Sequence, residues 1–209
     1  MTEPIDLKTL EKKVIRTYYE GGAFEIIFGS MFFGMSFGPY FRENLPEPWR
    51  YFLWPLLVIG IVILLSTIIK NFITKPRMGI VKLLAKKKST KRKLLIFIII
   101  NTIILVICLF LTISGIFFAI PIKGYLIGLI IGLLFITLPL SIIGYLIQSA
   151  RMYIVGFLGG ITIFLVEFLI PFIGIFLAYI FSYGLIGIIL LFIGILVLIR
   201  FIKNYPLPK

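Results

Sequence analysis

The chain contains no histidine, a single cysteine and only eight acidic residues among 209. Each shortage removes a class of chemistry. Without histidine there is no imidazole to ligate a metal or a haem, and one thiol, Cys108, forms neither an intrachain disulfide nor a thiolate cluster. The acids are too scattered for a carboxylate-held metal centre, and no Walker loop is present to cradle a phosphate. The string Gly34-Met35-Ser36-Phe37-Gly38 fits the Gly-x-Ser-x-Gly pattern, but a serine nucleophile needs a base. No histidine exists, and every lysine lies near an expected membrane edge. The expectation is therefore no metal, no cofactor and no catalytic constellation. Charge is scarce as well: 14% of residues are charged, against about a quarter in soluble domains.

What fills the space is apolar. Hydrophobic residues make up 61% of the chain, more than a soluble domain of this length could hide from water. Lipid must solvate that surface, so the fold class is an all-α polytopic transmembrane bundle. Six apolar stretches are placed at 23–41, 51–73, 94–120, 125–147, 153–180 and 184–202 within a 21–202 membrane domain. Each is long enough for a hydrocarbon core of about 30 Å. The turn between the last two is expected at Ser182-Tyr183-Gly184, with Pro171 and Gly174 as an earlier kink or end. No cleavable signal peptide is expected, because the first twenty residues carry both charges and no apolar core. Residues 1–20 read instead as an interfacial amphipathic segment, with Leu7, Leu10, Val14, Ile15 and Tyr18 at helical spacing.

The formal net charge of +13 is distributed by topology. All of the 21 basic residues except Arg42, Arg50 and Lys123 fall on one side of the six-span arrangement. That side is expected to be cytoplasmic and holds both the N-terminus and the 203–209 tail. The localisation expected is thus the cell membrane, multi-pass. Tyrosines and both tryptophans cluster at the expected span ends, as amphipathic aromatics do at headgroup level. The 74–93 loop carries Lys86, Lys87, Lys88, Lys91, Arg92 and Lys93 without an acid, so the expected partner is an anionic lipid leaflet and not a nucleic acid.

Few residues stand out as functional candidates. Glu167 lies inside the fifth span, where a charged carboxylate costs on the order of 3 kcal/mol, so it is expected to face the bundle. There it serves as an ion or proton site or as a hydrogen-bonded acid, with Asn101 or Thr162 as partner. Glu20 and Glu25 are expected to meet Arg77 or Arg151 at the inner interface, Glu25 also gaining from the start of its helix. Gly124, Gly128 and Gly132 form a small-residue stripe, as do Gly156 with Gly160 and Ser30 with Gly34 and Gly38. Such stripes pack helices within the chain or join it to a second copy or another membrane protein.

Glu20-Gly21-Gly22-Ala23-Phe24-Glu25 with Gly29, followed by Pro76-Arg77-Met78-Gly79-Ile80-Val81-Lys82, forms a pattern. It resembles a group of uncharacterised prokaryotic integral membrane proteins with an acidic-Gly start and a Pro-Arg-x-Gly-x-Val-Lys loop. The resemblance covers roughly the first ninety residues. It implies a defined turn at Arg77 and Gly79, with Arg77 meeting Glu20 or Glu25, and implies no activity. The functional expectation is binding or passing a small solute, ion or lipid. Its competitor is a non-catalytic accessory or assembly subunit.

Overall fold

Why should an uninterrupted apolar run of this chain fold back on itself? The longest helical run extends over 55 residues, Ala150–Asn204, which as one straight rod would reach about 80 Å. A bilayer core is about 30 Å thick, so a reversal is required. It falls at Gly174, whose φ of 80° and ψ of 167° leave the helical region. Those dihedrals suit glycine almost exclusively.

The computed structural model describes residues 21–47, 49–78, 95–96, 99–104, 124–147 and 149–206. The 1–20 segment with Glu20, the run from Lys86 to Lys93, most of 94–120 and residues 207–209 lie outside the described residues. The described chain is all-helical. In order come α1 (Ala23–Met35), α2 (Gly38–Asn44), α3 (Trp49–Ile68), α4 (Lys75–Met78), α5 (Gly124–Gly132), α6 (Leu138–Ile147), α7 (Ala150–Tyr179) and α8 (Leu185–Asn204). Residues 99–104 are helical as well. Wider π turns join α3 to α4 at Ile69–Thr74, α5 to α6 at Leu133–Thr137 and α7 to α8 at Ile180–Gly184. Among the described residues, three helical runs are long and apolar enough to cross a membrane: Phe52–Thr74, Gly124–Tyr145 and Ala150–Asn204.

The break falls at Gly174, the earlier kink or end that the sequence offered, and not at the turn expected at Ser182-Tyr183-Gly184. That tripeptide stays helical, as a π turn, with Ser182 and Gly184 buried. Gly184 packs on Ser36, a contact between two small residues that needs no loop. Packing partners establish the reversal. Arg151 and Gly194 both meet the start of α1, at Glu25, while Gly159 and Gly187 both meet its later residues, Phe32 and Phe33. The first part of α7 therefore runs parallel to α1, and α8 runs antiparallel to both.

Local sequence explains the short elements at the other end. Pro39 supplies a fixed φ in the first turn of α2. Leu45 takes extended dihedrals because Pro46 follows it, and α2 stops there. Trp54 then ties the corner together: its indole N–H donates to the Gly34 carbonyl at 3.1 Å, and its ring stacks on Phe41 at 3.8 Å.

The core draws on four helices. Phe32 of α1 meets Leu140 of α6, Val155 of α7, and Ile186 and Leu190 of α8. Glycine sets how closely the backbones approach. A Cβ on Gly29 would lie 2.7 Å from the Leu191 nitrogen, and one on Gly187 2.5 Å from the Phe33 nitrogen. Gly132 and Gly160 face each other backbone to backbone, and the π turn beside them lets the Thr137 hydroxyl donate to the Gly156 carbonyl at 2.9 Å.

These contacts separate two kinds of glycine. Gly160→Ala should lower stability in detergent by about 1–3 kcal/mol through overpacking, because the new methyl meets Thr137 and the Gly132 backbone. A Cβ on Gly174 meets nothing within 4 Å, so Gly174→Ala should cost about 1–3 kcal/mol from backbone strain alone. Gly60→Ala, also in open space but with helical dihedrals, should be neutral or stabilising. Thermal unfolding of the three variants checks this ordering, and a Gly60 variant as damaged as the other two would refute it.

Candidate functional site

The bundle has two dissimilar ends. At one, Glu25 sits in the first turn of α1 and is 4% exposed. Arg151, in the first turn of α7, brings Nη1 to 3.3 Å from Glu25 Oε1, an ion pair that lacks hydrogen-bond geometry. The pair fastens α1 to α7. Glu25 Oε2 is buried and accepts no hydrogen bond. Arg77 does not join them among the described residues: its guanidinium donates to the Ile73 carbonyl of its own segment at 3.1 Å.

At the other end a half-open cleft of about 620 Å³ lies between α2, α3 and the stretch just after Gly174. Arg42, Glu43 and Arg50 provide its charged lining. Trp54, Pro39 and Tyr179 provide apolar and aromatic wall. Arg50 is held by Glu47 at 3.3 Å and by the Leu45 carbonyl at 3.4 Å. The Trp54 bonds described above make that wall rigid. The sequence placed Arg42 and Arg50 only on the side with few basic residues, and the cleft was not read from it. The available signal was Pro39 and Pro46 bracketing Arg42 and Glu43, which demands a short ordered helix there.

Glu167 departs from expectation in its surroundings. Its side chain is exposed on the bundle surface, with Oε2 and Cγ lying along the Gly124 and Gly128 face of α5. Among the described residues no hydrogen bond reaches its carboxylate. Thr162 donates instead to the Leu158 carbonyl of its own helix, at 2.8 Å, and Asn101 makes no hydrogen bond to Glu167. Pro171, four residues on, has no N–H to offer the Glu167 carbonyl, so the usual helix bond is missing there. Gly174 lies seven positions beyond Glu167, about 10 Å of helical rise. Tyr179, descending from the break, lies within electrostatic range of Glu167 and of Arg42 in the cleft.

The glycine candidates fall into two roles. Gly132 and Gly160 meet directly, Gly156 packs on Leu140 and Thr137, and Gly124 and Gly128 accommodate Glu167. Gly34 packs on Val58 of α3, and the Ser30 hydroxyl bonds to the Ile27 carbonyl. The α1–α8 seam through Gly22, Gly29, Gly187 and Gly194 was not read from the sequence, although both pairs are spaced seven apart. Ser36 is buried against Gly184 and donates to the Phe33 carbonyl at 2.6 Å. The chain matches no family model, no curated protein and no solved structure.

The ion pair carries an asymmetric expectation. Arg151→Met strands a carboxylate whose side chain is 6% exposed, whereas Glu25→Gln leaves a guanidinium that is 33% exposed and can reach polar surroundings. The arginine variant should therefore lose more stability, by about 1–3 kcal/mol against at most about 1 kcal/mol for the glutamine variant. Thermal unfolding of the single and double variants measures both the order and the coupling. Equal losses would show that the pair acts by shape alone.

Proposed function

We propose that this chain is a multi-pass membrane protein with six passes and cytoplasmic termini, and that it binds a lipid or lipid-like amphiphile in the cleft between α2, α3 and Tyr179. The single observation carrying this reading is the position of the cleft. The apolar run of α3 begins at Phe52, so Trp54 and Pro55 lie in the first turn of the span while Arg42, Glu43 and Arg50 lie beyond it. The cleft thus straddles the boundary between hydrocarbon and headgroup, where a molecule with one polar and one apolar end fits. Six passes are supported by the reversal at Gly174, by α1 and α2 lying antiparallel to the returning helix, and by the apolar 94–120 stretch. The orientation rests on the basic residues, and the Lys86–Lys93 run favours an anionic leaflet, an attraction that salt should weaken.

Passage of an ion or small solute is a narrower reading, with Glu167 as its group and Tyr179 between it and the cleft. A competing reading is an accessory subunit. What favours it is the exposed Glu167 carboxylate, which a neighbouring protein docked along Gly124 and Gly128 would satisfy.

Filling the cleft tests lipid binding. A Cβ on Gly38 meets only Trp54 Cδ1, at 3.9 Å, so Gly38→Phe projects a ring into the space without a backbone clash. The purified variant should elute as the parent does while losing amphiphile seen by native mass spectrometry. Retention of the same amphiphile at the same occupancy would sink the proposal. Orientation is tested separately: with Cys108 replaced by serine, Asn44→Cys should react with an impermeant maleimide on intact cells, and Ser89→Cys should react only after lysis. Labelling of Asn44→Cys solely from the cytoplasm would invert the arrangement.

A further inference from the structure

We infer that the cleft selects a phosphodiester headgroup bearing a primary ammonium, the zwitterionic chemistry of an ethanolamine phospholipid. This rests on the lipid-binding reading above and specifies its ligand class. The lining carries two guanidiniums, Arg42 and Arg50, and one carboxylate, Glu43. Two arginines in one cleft lining suit the oxygens of a phosphodiester, since a planar guanidinium recognises such oxygens through paired N–H donors. Arg50 is already oriented by the Leu45 carbonyl and Glu47, so less freedom is lost when it binds. A purely anionic headgroup would gain from the two arginines but meet repulsion from the Glu43 carboxylate in the same lining. An ammonium placed there removes that repulsion and donates hydrogen bonds, which a quaternary trimethylammonium cannot do. Below the charges, Trp54, Pro55 and Ile175 continue the cleft into apolar surroundings suited to glycerol and the first acyl carbons. The volume of about 620 Å³ lies within the usual range for one small ligand, about 300–1,000 Å³.

Trp54 lines the cleft and is one of two tryptophans, so a Trp49→Phe background makes it the sole indole reporter. In maltoside micelles, ethanolamine phospholipid with brominated acyl chains should quench Trp54 in a saturable way. Its apparent affinity should exceed that of brominated phosphatidylglycerol, phosphatidylcholine and diacylglycerol by about fivefold to tenfold, the worth of one or two charge-assisted bonds in a half-open site. Glu43→Gln should bring ethanolamine and glycerol phospholipids to equal affinity. Arg42→Gln and Arg50→Gln should bring both down toward diacylglycerol, with circular dichroism and elution unchanged. Saturable quenching that is equal for all four lipids, or that Glu43→Gln leaves equally selective, would overturn the headgroup assignment while keeping the lipid site. Absence of saturable quenching by every lipid would overturn the lipid-binding reading and this inference with it. Soluble glycerophosphoethanolamine should relieve quenching only at far higher concentration than the lipid. Relief at equal concentration would keep the headgroup chemistry and overturn the lipid reading.

Discussion

Close contact between helix backbones is the constraint on which this structure depends. Helices with so apolar an outer surface gain little from merely hiding side chains from a lipid-like surrounding, because that surrounding is as apolar as they are. Dispersion over well-fitted surfaces must hold them, and it decays within a fraction of an ångström of separation. Glycine at Gly29 and Gly187 lets α1 and α8 approach until a methyl group would collide with backbone nitrogen. Gly132 and Gly160 do the same for α5 and α7. Phe32 then fills the space where α1, α6, α7 and α8 converge, and the fit there follows from the spacing those glycines allow.

The second determinant is where the chain turns back. Had it reversed at the Ser-Tyr-Gly tripeptide, Tyr179 would continue the ascending helix and stand away from α2. Reversal at Gly174 instead brings Ile175 and Tyr179 down beside Pro39 and Arg42, and Phe176 against Tyr40 at 6.1 Å between ring centroids. The third wall of the cleft therefore exists because one residue tolerates a positive φ. Pro171 and Gly174 cooperate in this: the proline weakens the ladder one turn before the glycine breaks it.

Much of this was legible in the sequence, for identifiable reasons. Length and hydropathy are local properties, so the apolar runs beginning near Phe52, Gly124 and Ala150 were readable directly. The spacing of Gly124, Gly128 and Gly132 marked a packing face, because a period of four places residues on one side of a helix. Of the two turn positions the sequence offered, Ser182-Tyr183-Gly184 has the composition of a loop yet stays helical with Gly184 against Ser36, and the break falls at the earlier one, Gly174. Glu167 illustrates a different limit. Sequence placed it within a span, but the face it presents depends on helix rotation, which is set where Gly128 of α5 packs on Ile163 of α7. The cleft was illegible for a third reason: its walls come from three segments, 35–43, 50–55 and 175–179, and no local pattern encodes their meeting.

The contrast between the two ends now has a physical basis. At the Glu25 end, helix starts from α1 and α7 converge with the end of α8, and Gly22 and Gly194 bring the backbones together. There a buried carboxylate and a partly buried guanidinium pair, Glu25 with Arg151 at 3.3 Å. At the Arg42 end, the short helix α2 follows α1, Pro46 stops it, and Trp54 props the corner by donating to the Gly34 carbonyl. Arg42, Glu43 and Arg50 line the open volume together with Trp54 and Tyr179. Packing that is tight at one end and propped at the other is a costly arrangement for a structure whose stability depends on contact, since open volume forfeits the dispersion that holds the helices. Such an opening is offset when a ligand supplies the missing contacts, which is the physical argument for assigning function to this end.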